Sequence, residues 1–196
     1  MVTMTTVTVK APGRLELVRQ FVNTRDVEAG TDLLATAGEL TAWLRSARLL
    51  GPDEVAEPRD VAKVVALREA LRDALSANHD GGAIDPSAVQ TMNSVARDAK
   101  MSISLTADSG WTHRATASGV SGAAGSLLEL VIDAMAVDSW RRLKVCVNDT
   151  CRWAFYDHSR ARSGKWCSMQ ICGNRSKQQA WREREGTVRR RSVRDS

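Results

Sequence analysis

The four cysteines of this chain fall into two pairs of equal spacing. Cys146 and Cys151, in "KVCVNDTCRW", have four residues between them, and so do Cys167 and Cys172, in "KWCSMQICGNR". Fifteen residues separate the pairs, and the chain has no other cysteine. Two short-spaced pairs one hairpin apart suit a single tetrahedral site of four thiolates, and soft, anionic thiolates suit zinc. An iron–sulfur cluster also takes four cysteines, and two disulfides would need an oxidising compartment. The N-terminus has no apolar core of signal-peptide length, and there is no run of about 18 apolar residues. The expectation is therefore a cytoplasmic protein with reduced thiols, one zinc per chain and no membrane partner. A closed four-thiolate site leaves no open coordination position for catalysis. The histidines, His79, His113 and His158, show no ligand or triad spacing, and the glycines near 119–125 lack the setting of a phosphate loop. An enzyme is not expected.

Charge gives the site its surroundings. The formal net charge is +5, but residues 1–140 hold 13 Lys and Arg against 18 Asp and Glu, while residues 141–196 hold 15 against 5. A basic segment on a mildly acidic body points to nucleic acid or another anionic surface. Arg160, Arg162 and Lys165 lie between the cysteine pairs. Arg175, Lys177, Arg182 and Arg184 follow on a helical stretch, "NRSKQQAWRERE", and Arg189, Arg190 and Arg191 lie near the end. Phosphate contact needs only their charge, whereas base reading needs side chains such as Gln178 or Gln179 in a groove. A solvated, disordered tail is the alternative for the last residues.

The elements that must position these residues read as mainly α. Leu15, Val18 and Val22, with Leu17 and Phe21, have helical spacing. Thr36 and Glu39 form a capping box ahead of Leu40, Trp43, Leu44 and Ala47, with a stop at Gly51-Pro52. Pro58 opens a third helix, to about Asn78, and Asp85-Pro86 opens a fourth through Val89, Met92 and Val95. Alternation around Asp108-Ser109-Gly110 predicts a β-hairpin. A Gly/Ser/Ala loop over 118–126 should lead into the most apolar helix, "SLLELVIDAMAVDSW". No linker separates that helix from Cys146, so the metal module should be docked rather than tethered. Within the module, strand, turn at Asn148-Asp149 and strand should carry the first cysteine pair. Cysteines five apart stand about 140° apart on an α-helix, so Cys167 belongs to a loop and Cys172 to an irregular first turn. This is a treble-clef-like arrangement in which zinc replaces a core.

The stretch from Cys146 to Lys177, with Cys172-Gly173-Asn174-Arg175, the run Trp153, Phe155, Tyr156, and Ser159-Arg160-x-Arg162-Ser163, resembles the CGNR zinc finger family. Upstream, "FVNT" at 21–24 and "DLLATAGELTAWL" resemble the ABATE domain, which typically precedes that finger; Ala37 stands where the family often has proline. The resemblance implies a stress-induced bacterial transcription regulator with a zinc-dependent DNA-binding end. It implies an ABATE-like helical domain over 1–140, the finger over 141–185 and a basic tail over 186–196. The body could sense a small-molecule effector of unknown class, with Arg14, Asn23 and Thr24 near an apolar helix; ordinary capping explains them equally well. A zinc-stapled protein-interaction module is the competing reading. Gly173 is expected to supply an unusual φ, and Asn174 to cap a helix or bond a ligand sulfur. Arg175 suits either DNA contact or bracing against the body. The aromatics beside the cysteines suit a mini-core better than base stacking.

Overall fold

A computed structural model describes residues 9–107 and 110–194, with side chains as far as Arg184. The helices start where the sequence signals them. Helix α1 (Leu15–Val22) buries Leu15, Val18, Phe21 and Val22. A short hairpin, β1 (Arg25–Asp26) and β2 (Thr31–Asp32), follows. Helix α2 (Ala37–Ser46) starts at Thr36, whose hydroxyl accepts the Glu39 N–H at 3.2 Å and donates to the Glu39 carboxylate at 2.9 Å. It stops before Gly51, because Arg48 turns to φ 57°. Helix α3 (Pro58–Ala77) has Pro58 at its first position and a Glu57–Asp60 capping box. Helix α4 (Pro86–Asp98) is capped by Asp85, which accepts the Ser87 N–H at 2.8 Å.

The predicted hairpin is β3 (Ser102–Thr106) and β4 (Gly110–Arg114), with Ser102 opposite Arg114 and Thr106 opposite Gly110. Gly110 has φ 83°, the left-handed backbone such a turn needs. The turn residues Asp108 and Ser109 lie outside the described residues.

Helix α5 (Gly119–Ala136) corrects the expected loop: most of the Gly/Ser/Ala stretch is its first two turns. A Cβ at Gly125 would lie 2.5 Å from the Ala99 Cβ and 2.6 Å from the Ala115 Cβ. These small residues therefore serve close approach to the segments flanking the hairpin rather than flexibility. The helix also ends earlier than expected. Asp138, at φ 57°, turns the chain, and a short 3-10 turn at Trp140–Arg142 leads into β5 (Leu143–Val145). Strand β6 (Ala154–Tyr156) pairs antiparallel with β5, Leu143 opposite Tyr156. By length and composition α5 is apolar enough to cross a membrane, with mean hydropathy 1.3. It is the central core helix, however, burying Ala123, Leu127, Leu128, Leu130, Val131 and Ala134.

One core unites the body and the last hairpin. Trp140, Leu143, Val145 and Ala154 are buried in the same cluster as Phe21, Leu67, Leu71, Leu75 and Leu127. Among the described residues, the cysteines and their cover form a second, smaller cluster. Helix α6 (Asn174–Arg194) closes the chain and extends into the segment expected as a disordered tail.

Candidate metal centre

Cys146 follows β5 directly, and Cys151 precedes β6 across a tight knuckle. The Cys146 N–H donates to the Trp153 carbonyl at 2.9 Å, and the Asn148 carbonyl accepts from Cys151 and Arg152 at 2.9 and 3.0 Å. The Asn148 side chain accepts the Thr150 N–H and hydroxyl, so the predicted Asn-Asp turn is a side-chain-locked one. Arg152, at φ 49°, completes the knuckle.

The second pair meets the metal through a widened turn. Ser168 accepts the Ile171 N–H at 3.3 Å, and residues Met169–Gly173 form a π turn ahead of α6. In it the Gly173 N–H donates to the Ser168 carbonyl at 3.0 Å, a bond spanning five residues. Cys167 lies in the loop just ahead of Ser168 and Cys172 inside the widened turn, so the pair meets without sharing one regular helix, on which positions five apart would diverge by about 140°. The Val147 N–H donates to Lys165 at 3.0 Å and ties the first knuckle to the second.

The four Sγ atoms lie within 4.8 Å of one another, with Cys151–Cys167 at 3.6 Å and Cys167–Cys172 at 3.8 Å. Sulfurs at about 2.3 Å from one zinc stand about 3.8 Å apart in a tetrahedron. All four cysteines are free, and the sulfurs are too far apart for disulfides, which need about 2.05 Å. A cluster's thiolates would be held on separate irons rather than on one centre. The donor set fits a single zinc.

The surrounding groups prepare the sulfurs unequally. The Cys146 thiol is pulled far down, first by hydrogen bonds from Cys151 and Cys167, then by the Cys167 and Asn148 N–H groups. Cys151 and Cys167 are pushed up, chiefly through the hydrogen bonds that favour the Cys146 thiolate. Cys172 is pushed up by burial. So crowded a set can ionise fully only around a cation.

Trp153, Trp166 and Ile171 pack against the cysteines. Both indole N–H groups are buried without a hydrogen-bond partner among the described residues, which fits apolar cover. Gly173 differs from expectation: its φ is not left-handed, and a Cβ would lie 2.8 Å from the Met169 sulfur. That sulfur belongs to the flexible end of an exposed side chain. Asn174 donates to the Gln170 carbonyl at 3.0 Å, tying the π turn to α6.

The basic residues divide by position. Arg160, Lys165, Lys177, Arg182 and Arg184 are exposed. Arg162 is held by Asp138 at 2.6 Å, and Arg175 by Glu28 at 2.8 Å, so both reach back to the body. The side chains of Arg189, Arg190 and Arg191 lie outside the described residues.

Residues that the sequence reading missed, Asp157, Arg68, Arg72 and Asn78, fix this geometry together with Asn23 and Thr24, which it had named. Asp157, 4 % exposed, accepts from the buried Lys144 ammonium at 3.0 Å and from the Ser159 and Gly164 N–H groups at 3.0 and 2.7 Å. It thereby folds the loop that carries Arg160 and Arg162. Burial would raise its pKa, but the hydrogen bonds from Ser159, Lys144 and Gly164 outweigh that and lower it to about 2. Asn23 exchanges two hydrogen bonds with the Ala154 backbone, at 2.7 and 2.9 Å. The "FVNT" polar residues are thus structural, with Thr24 bonded to the Phe21 carbonyl. Two buried arginines on α3 extend the bracing. Arg68 grips Asp32 at 2.6 and 2.9 Å, and Arg72 donates to the Val22 and Arg152 carbonyls at 2.7 Å. Asn78 donates to Trp140 and Leu143. The signal was available: Arg68 and Arg72 sit one turn apart, each directly after a leucine of the buried series Leu67, Leu71 and Leu75, where charges are rare unless paired.

Residues 15–140 match the ABATE family model, described as "putative stress-induced transcription regulator", and residues 142–185 match the CGNR zinc finger. No curated protein matches the chain.

Proposed function

Since the chain belongs to the ABATE family and carries a CGNR zinc finger, we propose that it is a zinc-dependent DNA-binding transcription regulator. The observation that carries this reading is the exposure of α6. Every described side chain from Asn174 to Arg184 is exposed, and no apolar face docks it on the body. A helix polar all round needs solvent or a partner, and a basic helix held at one end by a metal site suits a DNA groove. At about 100° per residue, Arg175 and Arg182 share one stripe, and Lys177 and Arg184 the opposite one. Arg175 is paired with Glu28 of the body, while Lys177, Arg182 and Arg184, like Arg160 and Lys165 on the loop between the cysteine pairs, have exposed side chains. These exposed residues are the phosphate contacts of the proposal, with Arg162 and Arg189 to Arg191 in support.

Response to a small effector has a structural opening. A cleft of about 530 Å³ lies between the α3–α4 loop and the end of α5, lined by Asp80, Ile84, Met135, Asp138, Trp140 and Arg162. Its size suits a small molecule, and the Asp138–Arg162 ion pair at its wall connects it to the basic loop. The reading is of a cytoplasmic protein acting on chromosomal DNA. Binding of the zinc-loaded chain to genomic fragments and random DNA should be measured in parallel by gel shift. Preferential retention of particular fragments is expected, and absence of any shift at low salt would reject DNA binding.

A further inference from the structure

The hairpin β3–β4 is amphipathic, yet its apolar face is not buried by the rest of the chain. Ile103 stands opposite His113 and Leu105 opposite Trp111, so all four project from one face. Ile103, Leu105 and Trp111 are 71, 72 and 71 % exposed. The other face holds Ser102, Ser104, Thr106 and Thr112. Alternation of this kind belongs to a sheet with one covered face, and a lone two-stranded hairpin is marginal in water. His113 anchors β4 to α5 through the Glu129 carbonyl and Asp133. The exposed face then continues across an apolar groove of about 360 Å³ to Met101, Ala96 and Ile132.

We propose that this face is the interface between two copies of the chain. Three features favour a second copy. Ile103, Leu105, Trp111 and the part-exposed Ile132 present on the order of 500 Å² of apolar surface per chain. A two-fold contact would remove on the order of 1,000 Å² from water, the size at which a specific interface begins. The patch also carries both a projecting ring, Trp111, and the groove beside it. A surface with knob and hole is self-complementary across a two-fold axis, the commonest symmetry of oligomers. Finally, β3 has no charged residue and no proline, the devices that keep solitary edge strands from associating.

The test is analytical ultracentrifugation of the full zinc-loaded chain from low to high micromolar concentration. A reversible dimer is expected, and Trp111→Glu and Leu105→Lys should each weaken it at least tenfold with zinc content and circular dichroism unchanged. Leu105 stands at the exposed end of the hairpin, so its variant keeps the test open if Trp111→Glu misfolds. A wild-type chain that stays monomeric throughout would overturn the proposal and leave the face to another protein or a groove ligand. A dimer that both folded variants leave intact would overturn it equally, by placing the contact elsewhere.

Discussion

Asp157 is the residue on which the basic loop turns. Its carboxylate and the Lys144 ammonium are 3 % and 1 % exposed, so removing one charge strands the other. Asp157→Asn should cost about 3–5 kcal/mol by denaturant unfolding. Replacing the pair together, with Lys144→Met, should recover much of that loss. The depressed pKa gives a direction in pH. A carboxylate lowered from 3.8 to about 2 contributes stability that is complete above its unfolded pKa and is lost as pH falls toward 2. The contribution is about 2 kcal/mol, and Asp157→Asn should remove that acid dependence. The sulfurs act on a larger scale. Cys167→Ser should abolish stoichiometric zinc by elemental analysis and strip hydrogen-exchange protection from residues 146–173, because zinc binding is folding energy there. An unchanged zinc content would contradict the four-thiolate assignment.

Among the elements, legibility followed locality. Caps at Thr36, Pro58 and Asp85, the amphipathic stripe of α1 and the cysteine spacing are written within a few residues, and the structure matches them. The loop expected over 118–126 failed for a nonlocal reason: Gly125 is selected by Ala99 and Ala115, which sequence spacing does not reveal. Gly125→Ala should therefore destabilise the chain by about 1–3 kcal/mol through overpacking, although alanine favours helix by about 1 kcal/mol. A stabilising outcome in thermal melts would mean that α5 can move away from its neighbours. The π turn was legible only as a constraint, since two cysteines five apart required some irregular turn. Asn23 was visible as a polar residue beside an apolar helix, but its partner, Ala154, is 131 residues away.

At the scale of the molecule, the finger is an outgrowth of the body rather than an appendage. Leu143, Val145 and Ala154 complete the body's core, and Asn23, Arg72 and Asn78 hold the hairpin's backbone. The route between body and finger is this network, since α5 itself ends at Ala136. A zinc-loaded 141–196 fragment should accordingly lack cover for Leu143 and Val145 and show poorly dispersed NMR signals outside the cysteine knuckles. The basic surface inherits its position from the body in this way, and whether its side chains neutralise phosphates decides the account. Fluorescence anisotropy of the full zinc-loaded chain on duplex DNA across a salt series measures this directly. Lys177→Ala, Arg182→Ala and Arg184→Ala combined should lower the slope of log affinity against log salt by about 2–3, close to 0.9 for each phosphate that is no longer neutralised. The same slope in wild type and triple variant, with zinc intact in both, would contradict the placement of DNA on α6.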